Sequence, residues 1–215
     1  MSFLVATLLG LQTKPIKTVM PVGSSARYSV IATEVNYEGA SNKITKSYTT
    51  KTPVVLKVVS PSRVGLILGP VEVAGKSVGR AREREYDVDG SFSRKGVGVT
   101  PFAIVLPASG IKPGQSWSGP LASVSPLPAG MKTTYKFEKI TAVRGTTCAQ
   151  IKVSVKSTGS STVTGTGTVF LKTGNGFLSH GDLKFEISFV RPDPKDAKKF
   201  LVNSHQTFIY KILPQ

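Results

Sequence analysis

TCAQIKVSVKS, from Thr147 to Ser157, and FLSHGDLKFEISF, from Phe177 to Phe189, decide how this chain folds. In the first stretch Ala149, Ile151, Val153 and Val155 alternate with Gln150, Lys152, Ser154 and Lys156. In the second, Leu183, Phe185, Ile187 and Phe189 alternate with Asp182, Lys184, Glu186 and Ser188. Successive side chains of a strand point to opposite faces, so a period of two makes one face apolar and the other wet. The pattern predicts an antiparallel sheet with one buried face.

Working outward, the same grammar continues. Arg144-Gly145 predicts a tight hairpin between Met131–Val143 and Thr146–Lys156, because glycine supplies the positive φ such turns need. Thr173-Gly174-Asn175-Gly176 predicts a second hairpin, joining Thr162–Leu171 to Phe177–Val190. Arg27–Glu38 reads as a strand whose alternation switches phase near Val30 and Ile31, as a bulge would cause. Lys43–Lys51, Val54–Val59, Val64–Leu68, Val71–Val78, Arg80–Phe92, Phe102–Leu106 and Gln115–Ser118 follow as further strands. Arg191–Asn203 reads as a loop with one helical turn at Pro194-Lys195-Asp196-Ala197, and His205–Leu213 as a last strand pairing with Leu183–Val190. The fold class is all-β: a curved antiparallel sheet, half-barrel or sandwich, with roughly a dozen strands and little helix.

Residues 1–12 are read as a signal peptide or a buried first strand, 13–26 as a linker, and 27–215 as a single β domain. Phe3–Leu11 has the length of a secretory apolar core, but no basic residue precedes it and no small-x-small site follows. No apolar run is long enough for a transmembrane helix.

The 28 basic and 12 acidic residues give a net charge of +16. Such a field favours polyanions. The basic residues are spread along nearly every segment, without a nucleic-acid motif or an aromatic-interleaved basic run, so nucleic acid is a poor candidate partner.

Several groups invite a chemical reading. Glu83, Glu85, Asp87 and Asp89 fall on one strand face. They are either a cation site or a solvent-facing row cross-paired with basic neighbours. Thr162, Thr164, Thr166 and Thr168 form a ladder, and the intervening Gly165 and Gly167 mark a bend or close backbone packing. His180 and His205 lie on strands that could be neighbours, but two histidines alone make a thin metal site. Cys148, the single cysteine, has no disulfide partner in the chain and no catalytic neighbour in sequence. Trp117 is either a plug at the core edge or a ligand contact. No catalytic, cofactor-binding or metal residues are assigned, and a hydrolase or metal enzyme would require His180, His205 and an acid of the 83–89 row to converge.

Lys112-Pro113-Gly114-Gln115-Ser116-Trp117, Tyr135-Lys136-Phe137 and Cys148-Ala149-Gln150-Ile151-Lys152-Val153, followed by the glycine–threonine hairpin, resemble uncharacterised secreted β-rich proteins of bacteria. In those proteins a KPGDxW loop precedes a Y-x-F strand and an AxI strand. More loosely, the layout is similar to the half-barrel of periplasmic lipoprotein carriers, whose curved sheet encloses an apolar cavity. The resemblance covers about residues 100–190 and implies no catalytic residues; the carriers' closing helices have no counterpart here.

The expected function is that of a non-enzymatic secreted, periplasmic or cell-envelope protein. It would bind a lipid or other apolar ligand on a concave sheet face, with basic residues at the rim for anionic head groups. The alternative is a structural or adhesive module whose basic surface binds a polyanionic cell-envelope component. An exposed run of Phe and Ile along the concave face would support the first; a fully filled interior would sink it.

Overall fold

Positive φ at Arg144 and Gly145 (49° and 76°) and at Ala74 and Gly75 (49° and 76°) makes the tight reversals that the hairpins require. The computed structural model describes residues 15–17, 21–87, 93–94, 97–98, 104, 106–107, 109–120, 132–157 and 161–215. The apolar run 3–11, Asp89, Phe92 and most of the expected strand Phe102–Leu106 lie outside them. Ile104 and Leu106 belong to no strand, and Leu106 is buried. Among the described residues there is no helix.

The strands are β1 Ser25–Glu38, β2 Ile44–Ser60, β3 Arg63–Leu68, β4 Val71–Val73, β5 Lys76–Val78, β6 Arg82–Asp87, β7 Ser93–Arg94, β8 Val97–Gly98, β9 Ser116–Pro120, β10 Lys132–Val143, β11 Thr146–Ser157, β12 Ser161–Lys172, β13 Leu178–Asp193 and β14 Asp196–Pro214. Twelve form one sheet in the order β5-β4-β2-β1-β14-β13-β12-β11-β10-β9, with β3 also on β2 and β6 on β3. The pairings are antiparallel. The sheet does not close on itself: β9 ends it on one side, β5 and β6 on the other. A separate bridge pairs Ile16 with Ile111, and both side chains are buried.

One face carries the core. Tyr28 and Val30 of β1, Val54, Leu56 and Val58 of β2, Ile151 and Val153 of β11, Phe185 of β13 and Tyr210 and Ile212 of β14 belong to one buried cluster. The sheet bends most at β12. There β11 and β13 approach within 8 Å across the strand between them, less than the roughly 9.6 Å of two flat strand spacings. Gly165 and Gly167 permit this. A Cβ on either would collide with Phe185 or Leu183, which lie across the two glycines from β13. The threonines between them face outward, in agreement with the close-packing reading of the sequence.

Three local expectations are corrected. The register of β1 on β2 is unbroken through Val30 and Ile31 and shifts only at Asn36/Tyr37. Ile31 looks out of phase because it sits on the outer face, half-buried. Val71–Val78 is a hairpin of two short strands rather than one. Arg191–Asn203 holds no helical turn: β13 runs to Asp193, turns at Pro194-Lys195 and returns as β14. Proline's fixed φ suits the second position of a β-turn as well as the first turn of a helix, and pairing with a neighbouring strand decides between them.

Candidate functional site

The inner, apolar face is the candidate site, and register places its residues. One cross-strand row runs Trp117, Tyr135, Val153, Gly167, Leu183, Tyr210, Ala32 and Thr50. In the middle of the sheet this face is filled. Phe137, Ile151, Phe185, Tyr210 and Ile212 are 0% exposed, so the expected open run of Phe and Ile is absent there. Inner-face side chains that keep some exposure include Trp117 and Ile140 near β9 and Leu68 and Tyr86 near β6. Trp117 stacks on Tyr135 with centroids 5.3 Å apart, so it plugs the core edge while one side stays accessible.

At the other edge, Arg82 and Arg84 stand opposite Leu68 and Leu66, which puts two exposed guanidinium groups on the apolar face. Deeper in, the Tyr28 hydroxyl is buried without a hydrogen-bond partner among the described residues, and burial raises its pKa. An unpartnered buried hydroxyl costs about 1–3 kcal/mol.

Sequence reading missed a polar network on this same face. Past Ala32 the inner positions of β1 become Glu34 and Asn36. Those of β2 become Tyr48 and Lys46, and that of β14 becomes Gln206. Gln206 Nε2 donates to Asn36 Oδ1 (2.5 Å), Asn36 Nδ2 to Glu34 Oε1 (2.9 Å), and the Tyr48 hydroxyl to Glu34 Oε2. The Lys46 ammonium lies 4.9 Å from the Tyr48 ring centre. Hydrogen bonding to the Glu34 carboxylate, with burial and its negative charge adding, pushes the Tyr48 pKa up to about 12. The available signal was a shared loss of hydrophobicity at alternate positions toward one end of β1, β2 and β14.

The groups singled out from the sequence have structural places. Glu83, Glu85 and Asp87 are exposed on the outer face of β6, and Arg63 of β3 reaches both Glu85 (3.5 Å) and Asp87 (3.3 Å). The row is therefore cross-paired, by one arginine. His180 stacks on Phe170 (4.1 Å), and burial lowers its pKa, with Asp182 opposing and Arg144 adding to the shift. His205 stacks on Tyr37 (4.3 Å) and its Nδ1 donates to the Gly39 carbonyl (2.9 Å). The two do not meet: His205 pairs with Ser188, eight residues from His180 and so about 26 Å along the strand. The convergence that a metal or hydrolytic site would need is not formed. Among the described residues no cluster of three or more His, Cys, Asp or Glu could hold a metal ion. Cys148 is buried at 0% exposure, and burial raises its pKa against the pull of Ser179 and Lys172, so it is no exposed thiolate. Nor does any helix among the described residues have the length and apolarity to cross a membrane.

The sheet has a known likeness. Its fold resembles part of lipovitellin. A solved lipovitellin chain, from a structure titled for lipid–protein interactions in lipovitellin, superposes with a TM-score of 0.50 at 10% identity. The match covers 91% of this chain and 25% of the lipovitellin chain, so this chain spans about a quarter of that protein's length. At that identity the likeness is one of fold. No family model matches the sequence, and no curated protein matches it either.

Proposed function

We propose that the protein is a non-enzymatic lipid-binding module, secreted or periplasmic, that holds an apolar ligand against the inner face of its sheet. The observation that carries this reading is an inner face that is apolar except toward one end of β1, β2 and β14, on a sheet that stays unclosed. A closed barrel of this size would seal that face; an open sheet leaves two edges at which a chain can enter. Inner side chains at both edges retain exposure: Trp117 and Ile140 near one, Leu68 and Tyr86 near the other. Because the middle of the face is filled by its own side chains, the ligand binds at the edges rather than in a preformed central cavity. Arg82 and Arg84, on the apolar face beside Leu68 and Leu66, suit an anionic head group there. The fold likeness to lipovitellin and the resemblance to periplasmic carrier half-barrels point the same way.

The test is native mass spectrometry of protein purified from its own host, followed by lipid extraction. The expected result is a mass increment that organic extraction removes, together with a change in Trp117 fluorescence when the extracted lipid is added back. A homogeneous mass without ligand, and no fluorescence response to added fatty-acyl lipid, overturns the reading.

A further inference from the structure

The outer face of β10–β12 gathers charge that the sequence scatters. Residues 132–172 contain seven Lys or Arg and a single acid, Glu138, among those described. Lys136 of β10 and Lys152 of β11 stand directly opposite each other. Lys156 lies four residues further along the same face, about 13 Å away. All three are exposed, and no ion pair involves them among the described residues. Glu138 stands opposite neither lysine, because β10 slips by one residue between Phe137 and Lys139; it forms no ion pair with them and accepts from Gln150 Nε2 (3.1 Å). Like charges directly opposite on a sheet destabilise it, so this arrangement is unfavourable until an anion arrives. Thr134, Ser154 and Thr166 occupy the spaces between on the same face and present hydroxyl donors.

We propose that this face docks on an anionic lipid bilayer through Lys136, Lys152 and Lys156. The charges are spread in two dimensions, across strands and along them, as the head groups of a bilayer are. A linear polymer would be better served by a groove, and two grooves lined by described residues lie away from this face, beside β2 and β4 and around Leu68, Val78 and Arg82. Long lysine side chains on an exposed sheet face can lie along the interface and place their ammonium groups among phosphates. The proposal concerns the face opposite the one assigned to an apolar ligand, so either can fail without the other.

Sedimentation of the full chain with vesicles tests it. Phosphatidylcholine vesicles containing phosphatidylglycerol should carry the protein down at low salt and release it at high salt, while pure phosphatidylcholine vesicles should not carry it. The variant Lys136→Gln/Lys152→Gln/Lys156→Gln should bind anionic vesicles roughly a hundredfold more weakly. Its charge-matched control, Lys57→Gln/Lys76→Gln/Arg80→Gln, should lose far less. Equal binding to neutral vesicles, an equal loss in the control, or no vesicle binding at all overturns the proposal. Capture by inorganic polyphosphate without vesicle binding does so too, and would assign the face to a polymer. The single substitution Lys152→Gln, with far-UV circular dichroism for each variant, separates lost binding from lost folding.

Discussion

A single cross-strand row contains the contrast between the two halves of this sheet. Gly165, Phe185, Phe208, Glu34 and Tyr48 stand opposite one another in turn across β12, β13, β14, β1 and β2. At the β13 end the row is sealed: Phe185 covers a glycine and has no exposure. At the β2 end, about 14 Å away at the usual strand spacing, the same face carries a carboxylate bound by a phenol. The outer faces differ too. In β1–β6 several charges are paired: Lys43 with Glu38, Lys51 with Glu72, and Arg63 with Glu85 and Asp87. In β10 and β11 two lysines face each other. One half seals its inner face and leaves two lysines opposed on its outer one; the other pairs several of its outer charges, and its inner face is partly wet.

The strongest way to break this contrast is at the sealed end of the row. Phe185→Ala should cost about 3–5 kcal/mol, a fall of roughly 6–20 °C in melting temperature for a chain of this size. A loss below about 1 kcal/mol in urea unfolding would mean that β12 and β13 are not the rigid half.

At the wet end, Tyr48→Phe should cost only about 1 kcal/mol, because the bond to Glu34 is half solvated. This cost depends on pH. The folded-state pKa of Tyr48, about 12, lies above its ordinary 10.0, so the protonated hydroxyl is the form that folding favours. Its contribution is fully present below about pH 10 and disappears as the pH climbs toward 12. The difference in unfolding free energy between wild type and Tyr48→Phe should therefore shrink across that window. A difference that stays constant would show that the Glu34 bond does not set it.

The smallest effects test the outer faces, and they should differ in sign. Arg63→Ala should destabilise by less than about 1 kcal/mol, as exposed ion pairs do. Lys152→Gln, which removes a like-charge opposition, should stabilise by a few tenths of a kcal/mol at low salt. Thermal melts of both variants at low and high salt would separate them; the same sign for both would erase the contrast.

The sequence made β10–β13 legible because alternation is a local property: each residue announces its face by its position relative to its neighbours. Both hairpin turns were readable for the same reason, as at Arg144-Gly145. Register is not local, and what depended on it was hidden. Nothing near Lys136 in the chain reveals that Lys152 faces it, and nothing near Glu34 reveals Tyr48. Pro194 misled because proline marks loops, helix starts and hairpin tips alike, and only the pairing of Val190–Asp193 with Asp196–Val202 resolves it. The wide separation of His180 and His205 follows from register as well: neighbouring strands were inferred correctly, but the histidines sit at different heights on them.

The open ends of the sheet have one more consequence. An unpaired edge strand offers free backbone donors and acceptors, a template onto which another molecule's strand can be added. Here β6 reads Arg82-Glu83-Arg84-Glu85, with exposed charges of opposite sign on its two faces, and β9 finishes at Gly119-Pro120, where the last residue has no amide hydrogen to give. An incoming strand at β6 would have to strip water from guanidinium and carboxylate groups together. Mixed charges on one edge and a terminal proline on the other thus disfavour strand addition, and with it fibre growth.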